Sequence, residues 1–188
     1  MASQTVNASY SASVYSGQYY SLSSPTVGEG HEWYYVYDLR GLSIDQIPLT
    51  VNCKQNNPYQ STVQTALKVT PYKAQFTGSG EDLRVRAKAS LGSSQSRTWT
   101  VSSYNTSTHT EEFTLNLNTT FTNSGSTVEV LLLKIEIPQG YDRVTLNSVP
   151  SLAIEESGDT PGGDDEPVVT PGGGDEPGSG EVIGELTS

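Results

Sequence analysis

The chain has 188 residues, a formal charge of −11, a pI near 4.4 and only 34% hydrophobic residues. No apolar run approaches the ~18 residues of a transmembrane helix, and a single cysteine, Cys53, excludes an internal disulfide framework and a multi-cysteine zinc site. The acidic balance argues against wrapping nucleic acid, whose phosphates demand Lys and Arg, so neither nucleic acid nor membrane insertion is expected.

From the N-terminus, Met1-Ala-Ser-Gln-Thr-Val-Asn lacks the charged and apolar regions of a signal peptide. Period-2 alternation then recurs as far as Ile154, with turn residues between the runs. Strands are predicted over Val6–Tyr15, Gln18–Ser23 and Glu32–Leu39, with Gly28-Glu-Gly30 as a turn. Residues 41–47 allow at most one helical turn. Ile47–Cys53, Val63–Val69 and Thr98–Ser102 are weaker strand signals. The clearest alternation is Asp82–Ser90: Leu83, Val85, Ala87 and Ala89 share one face, Arg84, Arg86 and Lys88 the other. Phe113, Leu115 and Leu117 repeat the pattern. Thr127–Ile137 is apolar on both faces and reads as a central strand. Val144–Leu146 and Leu152–Ile154 complete the set, and no segment has a capped helical period. About ten or eleven short strands predict an all-β fold: an antiparallel β-sandwich, jelly-roll-like, over residues 1–154.

Residues 155–188 differ in kind. Residues 1–154 hold 11 acidic and 10 basic residues, a net of −1; residues 155–188 hold 10 acidic and no basic residues, a net of −10. This acidic Gly/Pro-rich stretch repeats Thr-Pro-Gly-Gly from Thr160 and again from Thr170. Too little apolar area is present to offset its ordering entropy, so an extended or disordered tail is expected. Val182, Ile183 and Leu186, within 182–186, are candidates for a short docking peptide at its end.

Seven of the eleven tyrosines lie between Tyr10 and Tyr37. In Trp33-Tyr34-Tyr35-Val36-Tyr37, aromatic groups occupy both strand faces. One set fills a core; the other, with Tyr19 and Tyr20, is a candidate binding platform for sugars or proteins. Cross-strand aromatic packing is the competing reading. Arg84, Arg86 and Lys88 read as a solvated or edge-protecting strand face.

Catalytic signals are few. His31 and His109 belong to no paired-His motif, and Cys53 alternates with Leu49 and Val51 as a core thiol. A one-His site with Glu29 and Glu32 fails because adjacent strand residues diverge. No cofactor and no metal site are expected. Calcium is the alternative ion, held by the loop acids Glu81, Asp82 and Asp142 or the strand-entry pair Glu111-Glu112, or weakly and without specificity by the Asp-Glu tracts of the tail. The sequons at Asn7, Asn105 and Asn118 match chance in a chain this rich in Asn, Ser and Thr.

These features point away from an enzyme. They suggest a structural or binding β-sandwich subunit of a large assembly, a bacteriophage virion surface protein (head decoration, head fibre or tail-associated) tethered through its acidic tail. Its partners would be other protein subunits in a homo-oligomer. The alternative is a secreted carbohydrate-binding or adhesion module excised with its linker, binding glycans through Trp33–Tyr37. The location is then the virion surface or the extracellular space.

Overall fold

The computed structural model describes residues 3–55, 62–102, 107–138 and 144–155. The docking candidates Val182, Ile183 and Leu186, the tail, Asn105 and Asp142 lie outside these. Thr5–Ile154 form one compact unit, the body. Of the second unit, residues 1–4 and 155–188, only Ser3, Gln4 and Glu155 are described, as strand-end residues.

The described residues are all-β, with no α-helix among them. The strands are β1 (Ser3–Val6), β2 (Tyr10–Ser16), β3 (Tyr19–Ser23), β4 (Gly28–Gly30), β5 (Glu32–Tyr37), β6 (Ser43–Gln55) and β7 (Thr62–Thr77). They continue with β8 (Arg84–Ser90), β9 (Gln95–Ser102), β10 (Ser107–Thr120), β11 (Asn123–Ser124), β12 (Thr127–Glu136), β13 (Val144–Leu146) and β14 (Leu152–Glu155). A single 3-10 turn, Gly80–Asp82, precedes β8.

One sheet closes on itself. Strand β5 pairs with β2, β2 with β3, β3 with β8, β8 with β7, β7 with β12, and β12 again with β5. The result is a six-strand barrel rather than an open layer. Its interior holds Ala12, Tyr34, Val36, Ala74, Val85, Val130 and Leu132, with Tyr10, Tyr20, Leu22 and Phe76 packed around them. Closure removes exposed edges. It also explains why Thr127–Ile137 is apolar on both faces: Val130 and Leu132 point into the barrel, while Leu131, Leu133 and Ile135 point out of it.

The outward set enters a second, larger core. There Tyr35, Tyr37, Leu67, Val69, Leu131, Leu133 and Ile135 of the barrel wall meet Ile47, Leu49, Val51, Cys53, Phe113 and Leu115 of the second sheet. That sheet runs β1-β14-β6-β13-β4, with β10 along the other edge of β6. Strands β6 and β10 pair antiparallel from Ser107 opposite Gln55 to Thr120 opposite Ser43.

Residues 43–47 belong to β6, not to a helical turn. A bulge on β10 between Asn116 and Thr119, with Asn118 at φ 46°, breaks the alternation opposite them. Ile44 and Ile47 are both buried, and their i,i+3 spacing imitates a helix in sequence.

Pro71 lies inside the 16-residue strand β7 without breaking it. Strand β7 pairs with β9 as far as Val69 and with β8 from Tyr72. Pro71 occupies the gap between these partners, and its carbonyl accepts from the Leu91 N–H on that side. The donor that proline lacks would have pointed into the same gap, so no ladder bond is lost.

Candidate binding face

The six aromatic candidates do not form one surface. Tyr35 is 1% and Tyr37 0% exposed, both within the larger core. The Tyr35 hydroxyl donates to the Thr26 carbonyl at 2.6 Å and the Tyr37 hydroxyl to the Pro150 carbonyl at 2.5 Å. Burial pushes the Tyr35 phenol up to about 12 and raises that of Tyr37 further. Tyr34 faces the barrel interior, packed at a 49° tilt against Tyr20 with centroids 5.1 Å apart, and its hydroxyl donates to Glu32 at 3.2 Å. Burial, then the Glu32 charge, raises its pKa. Trp33 is half-buried against the larger core. Of the six, Tyr19 is the exposed one, at 41%. The platform expected over Trp33–Tyr37 is corrected for a simple reason. Strand β5 has a barrel on one face and a second sheet on the other, so Tyr34, Tyr35 and Tyr37 are buried, and of its aromatic residues Trp33 alone keeps partial exposure.

The exposed aromatic surface lies instead on the outer wall formed by β2, β3 and β8. Alternation along these strands sends Ala12, Tyr20, Leu22, Val85 and Ala87 into the barrel. It leaves Ser11, Ser13, Tyr19, Ser21, Arg84 and Arg86 outside. Pairing aligns them in rows: Ser13 opposite Ser21, Ser21 opposite Arg84, and Tyr19 opposite Arg86. A bulge in β2 between Val14 and Ser16 sets Tyr15 apart from the ladder. Its side chain is 61% exposed, and the Arg84 guanidinium lies over its ring, 4.3 Å from the centroid. Val14, beside it, is 60% exposed.

The three cations of this strand separate. A register shift leaves Lys88 without a direct partner between Ala87 and Ala89. Its ammonium reaches Glu129 at 3.7 Å, a carboxylate that also meets Lys73 at 3.5 Å and accepts from the Thr122 N–H at 2.9 Å. Among the described residues, neither Arg84 nor Arg86 has a carboxylate partner. Two guanidinium groups therefore stand on this wall without a carboxylate in ion-pair contact.

Beside them, Ser11, Ser13, Ser23, Thr26 and Trp33, with the Glu32 carboxylate and edges of Tyr34 and Tyr35, line a shallow pocket of about 160 Å3. Hydroxyl groups dominate its wall. A larger groove of about 370 Å3 on the second sheet is lined by residues such as Pro48, Thr50, Asn52 and Ser151, with no charged or aromatic group. It offers a ligand little that is directional.

The metal and catalytic candidates remain scattered. Among the described residues, no three His, Cys, Asp or Glu groups stand close enough to hold a metal ion. Glu81 and Asp82 are exposed in the 3-10 turn. Glu111 lies 3.9 Å from His109, whose ring stacks on Trp99 at 4.1 Å. Cys53 is fully buried, and desolvation followed by the Glu111 charge raises its thiol to about 11, the opposite of an activated nucleophile. No protein-family model matches the chain, and no curated protein matches its sequence.

Sequence alone does not pair Tyr15 with Arg84. The available signals are local: an aromatic beside the Ser16-Gly17 turn, and an arginine in the clearest alternating strand. Their juxtaposition needs β3 to pair with β8 across a long sequence gap, and no local pattern encodes that.

Proposed function

We propose that this chain is a non-catalytic binding subunit of a large assembly, of the type carried on a bacteriophage virion surface as a head-decoration, head-fibre or tail-associated protein. In this reading its acidic residues 155–188 serve as tether. The body is read as a jelly-roll-like two-layer sandwich in which one layer has curled into a barrel. The observation that carries the binding role is the Tyr15–Arg84 and Tyr19–Arg86 wall. It exposes aromatic rings and guanidinium groups without a carboxylate in ion-pair contact, both favoured at recognition surfaces. The virion setting rests on the sequence: a nearly neutral Ser/Thr/Tyr-rich body joined to a strongly acidic tail.

Light scattering on the full-length chain, separated by size, tests the assembly role. A trimer or higher oligomer is expected; a monomer at all concentrations overturns it. The hydroxyl-lined pocket beside the wall favours a second reading, a secreted carbohydrate-binding or adhesion module. A monomer that binds immobilised glycan supports that reading.

A further inference from the structure

We infer that the outer wall of β2, β3 and β8 is a binding site for acidic oligosaccharides, with a carboxylate-bearing sugar seated on Tyr15 and Arg84. The inference rests on the binding role proposed above but not on the assembly role.

Three observations carry it. The first is charge. Arg84 and Arg86 face outward on one strand with no carboxylate partner among the described residues, a condition Lys54, Lys68 and Arg97 share, but this pair stands together beside the exposed Tyr15 and Tyr19 rings. A planar guanidinium presents paired donors that match a carboxylate's two oxygens. The second is shape. The Arg84 guanidinium lies over the Tyr15 ring, so its fork is held in place rather than free to wander, which reduces the entropy lost on binding. The exposed Tyr15 and Tyr19 rings offer flat, amphipathic faces to the C–H side of a pyranose. The third is the adjoining pocket, where the Ser13 and Ser23 hydroxyls and the Glu32 carboxylate meet sugar hydroxyls beside the Trp33 ring, while Ser11 and Thr26 bond to one another; Glu32 accepts from neutral hydroxyls there, which leaves the sugar carboxylate to the arginine end of the wall. Ser13 pairs with Ser21 and Ser21 with Arg84. The pocket and the arginine are thus two strand spacings apart, roughly 10 Å. A short oligosaccharide lying across the strands reaches both.

Chemistry favours an acidic sugar over the alternatives. A neutral glycan leaves both guanidinium groups without a counter-charge. An acidic peptide satisfies the arginines but brings further carboxylates toward Glu32 in the pocket, where a sugar brings neutral hydroxyls.

Binding of the full-length chain to immobilised uronic-acid, sialylated and sulfated oligosaccharides, beside neutral chains of equal length, tests the assignment. Carboxylate-bearing chains should bind, and neutral ones at least about tenfold more weakly, the scale of one charge-assisted hydrogen bond. Methyl-esterifying the uronic acids should remove the preference. Arg84→Gln and Tyr15→Ala should each weaken binding about tenfold or more, with unchanged melting temperatures. Arg86→Gln, at an exposed position, provides a second variant free of the Tyr15 contact. Raising salt should weaken binding by screening. The inference fails if no carboxylate-bearing chain binds at millimolar concentration. It also fails if neutral chains bind equally well, or if both arginine variants retain full affinity. Preferential binding of a synthetic peptide with the sequence of residues 155–188 would likewise overturn it and reassign the wall to an acidic polypeptide. None of these outcomes bears on the oligomeric state, which tests the assembly role separately.

Discussion

Replacing Tyr37 by Phe separates a core tyrosine from a binding-platform tyrosine. The side chain is 0% exposed, and its hydroxyl donates to the buried Pro150 carbonyl at 2.5 Å. This bond ties β5 of the barrel wall to the segment leading into β14, 113 residues away. Phe keeps the ring and its packing but leaves the carbonyl without a donor in a dry environment. Loss of the bond together with an unsatisfied buried acceptor costs about 1–3 kcal/mol. For a body of 150 residues, that corresponds to a melting temperature lower by roughly 2–12 °C. Urea unfolding followed by tryptophan fluorescence should show a lower midpoint with an unchanged slope. Two companions calibrate the result. Tyr35→Phe frees the carbonyl of the exposed Thr26, which water can reach, so its cost should stay below about 1 kcal/mol. Tyr19→Phe, at an exposed position, should be neutral within about 0.5 kcal/mol. A Tyr37→Phe protein as stable as wild type, or one less affected than Tyr19→Phe, would refute the placement of Tyr37 in the larger core.

Three further outcomes follow from the charges and the thiol. Burial acts to raise the Glu129 carboxyl, but the Thr122 N–H with Lys73 and Lys88 outweighs it and holds the group below the ordinary glutamate value. A depressed folded-state pKa gives stability that is present above the unfolded value and lost as pH falls through the folded one. Glu129→Gln should therefore lower stability at neutral pH and flatten its decline below about pH 4.5, as measured by urea titrations across pH. His109 is lowered by burial against Trp99, with Glu111 opposing in part. The same sign applies: stability is full above about pH 6.5 and falls as the imidazole is forced to charge. His109→Phe should keep the stack and remove that acid-side loss, read from Trp99 fluorescence. Cys53, with its thiol at about 11 and no exposure, should resist a thiol reagent at pH 8 in the folded protein and react on unfolding. Rapid labelling of the native chain would contradict its place in the core.

Sequence alone determined the class of the body and the division of charge. Alternation in Asp82–Ser90, Phe113–Leu117 and Thr127–Ile137 needs no tertiary information, because a strand's two faces are set by its own backbone. The near-neutrality of residues 1–154 is likewise plain arithmetic. The two-sided apolarity of Thr127–Ile137 also marked a central strand. Closure of the ring was not legible. It depends on β12 meeting both β5 and β7, and on β3 meeting β8, pairings between segments far apart in the chain. That closure decided the fate of the aromatic residues. Trp33–Tyr37 reads identically in sequence whether one face is wet or both are covered; only the barrel inside and the second sheet outside show that both are from Tyr34 to Tyr37. Tyr15 and Arg84 show the reverse case. Each is unremarkable locally, and a bulge together with a long-range strand pairing brings them into contact at 4.3 Å. Local backbone chemistry set which way each side chain points, and long-range pairing alone set what it points at.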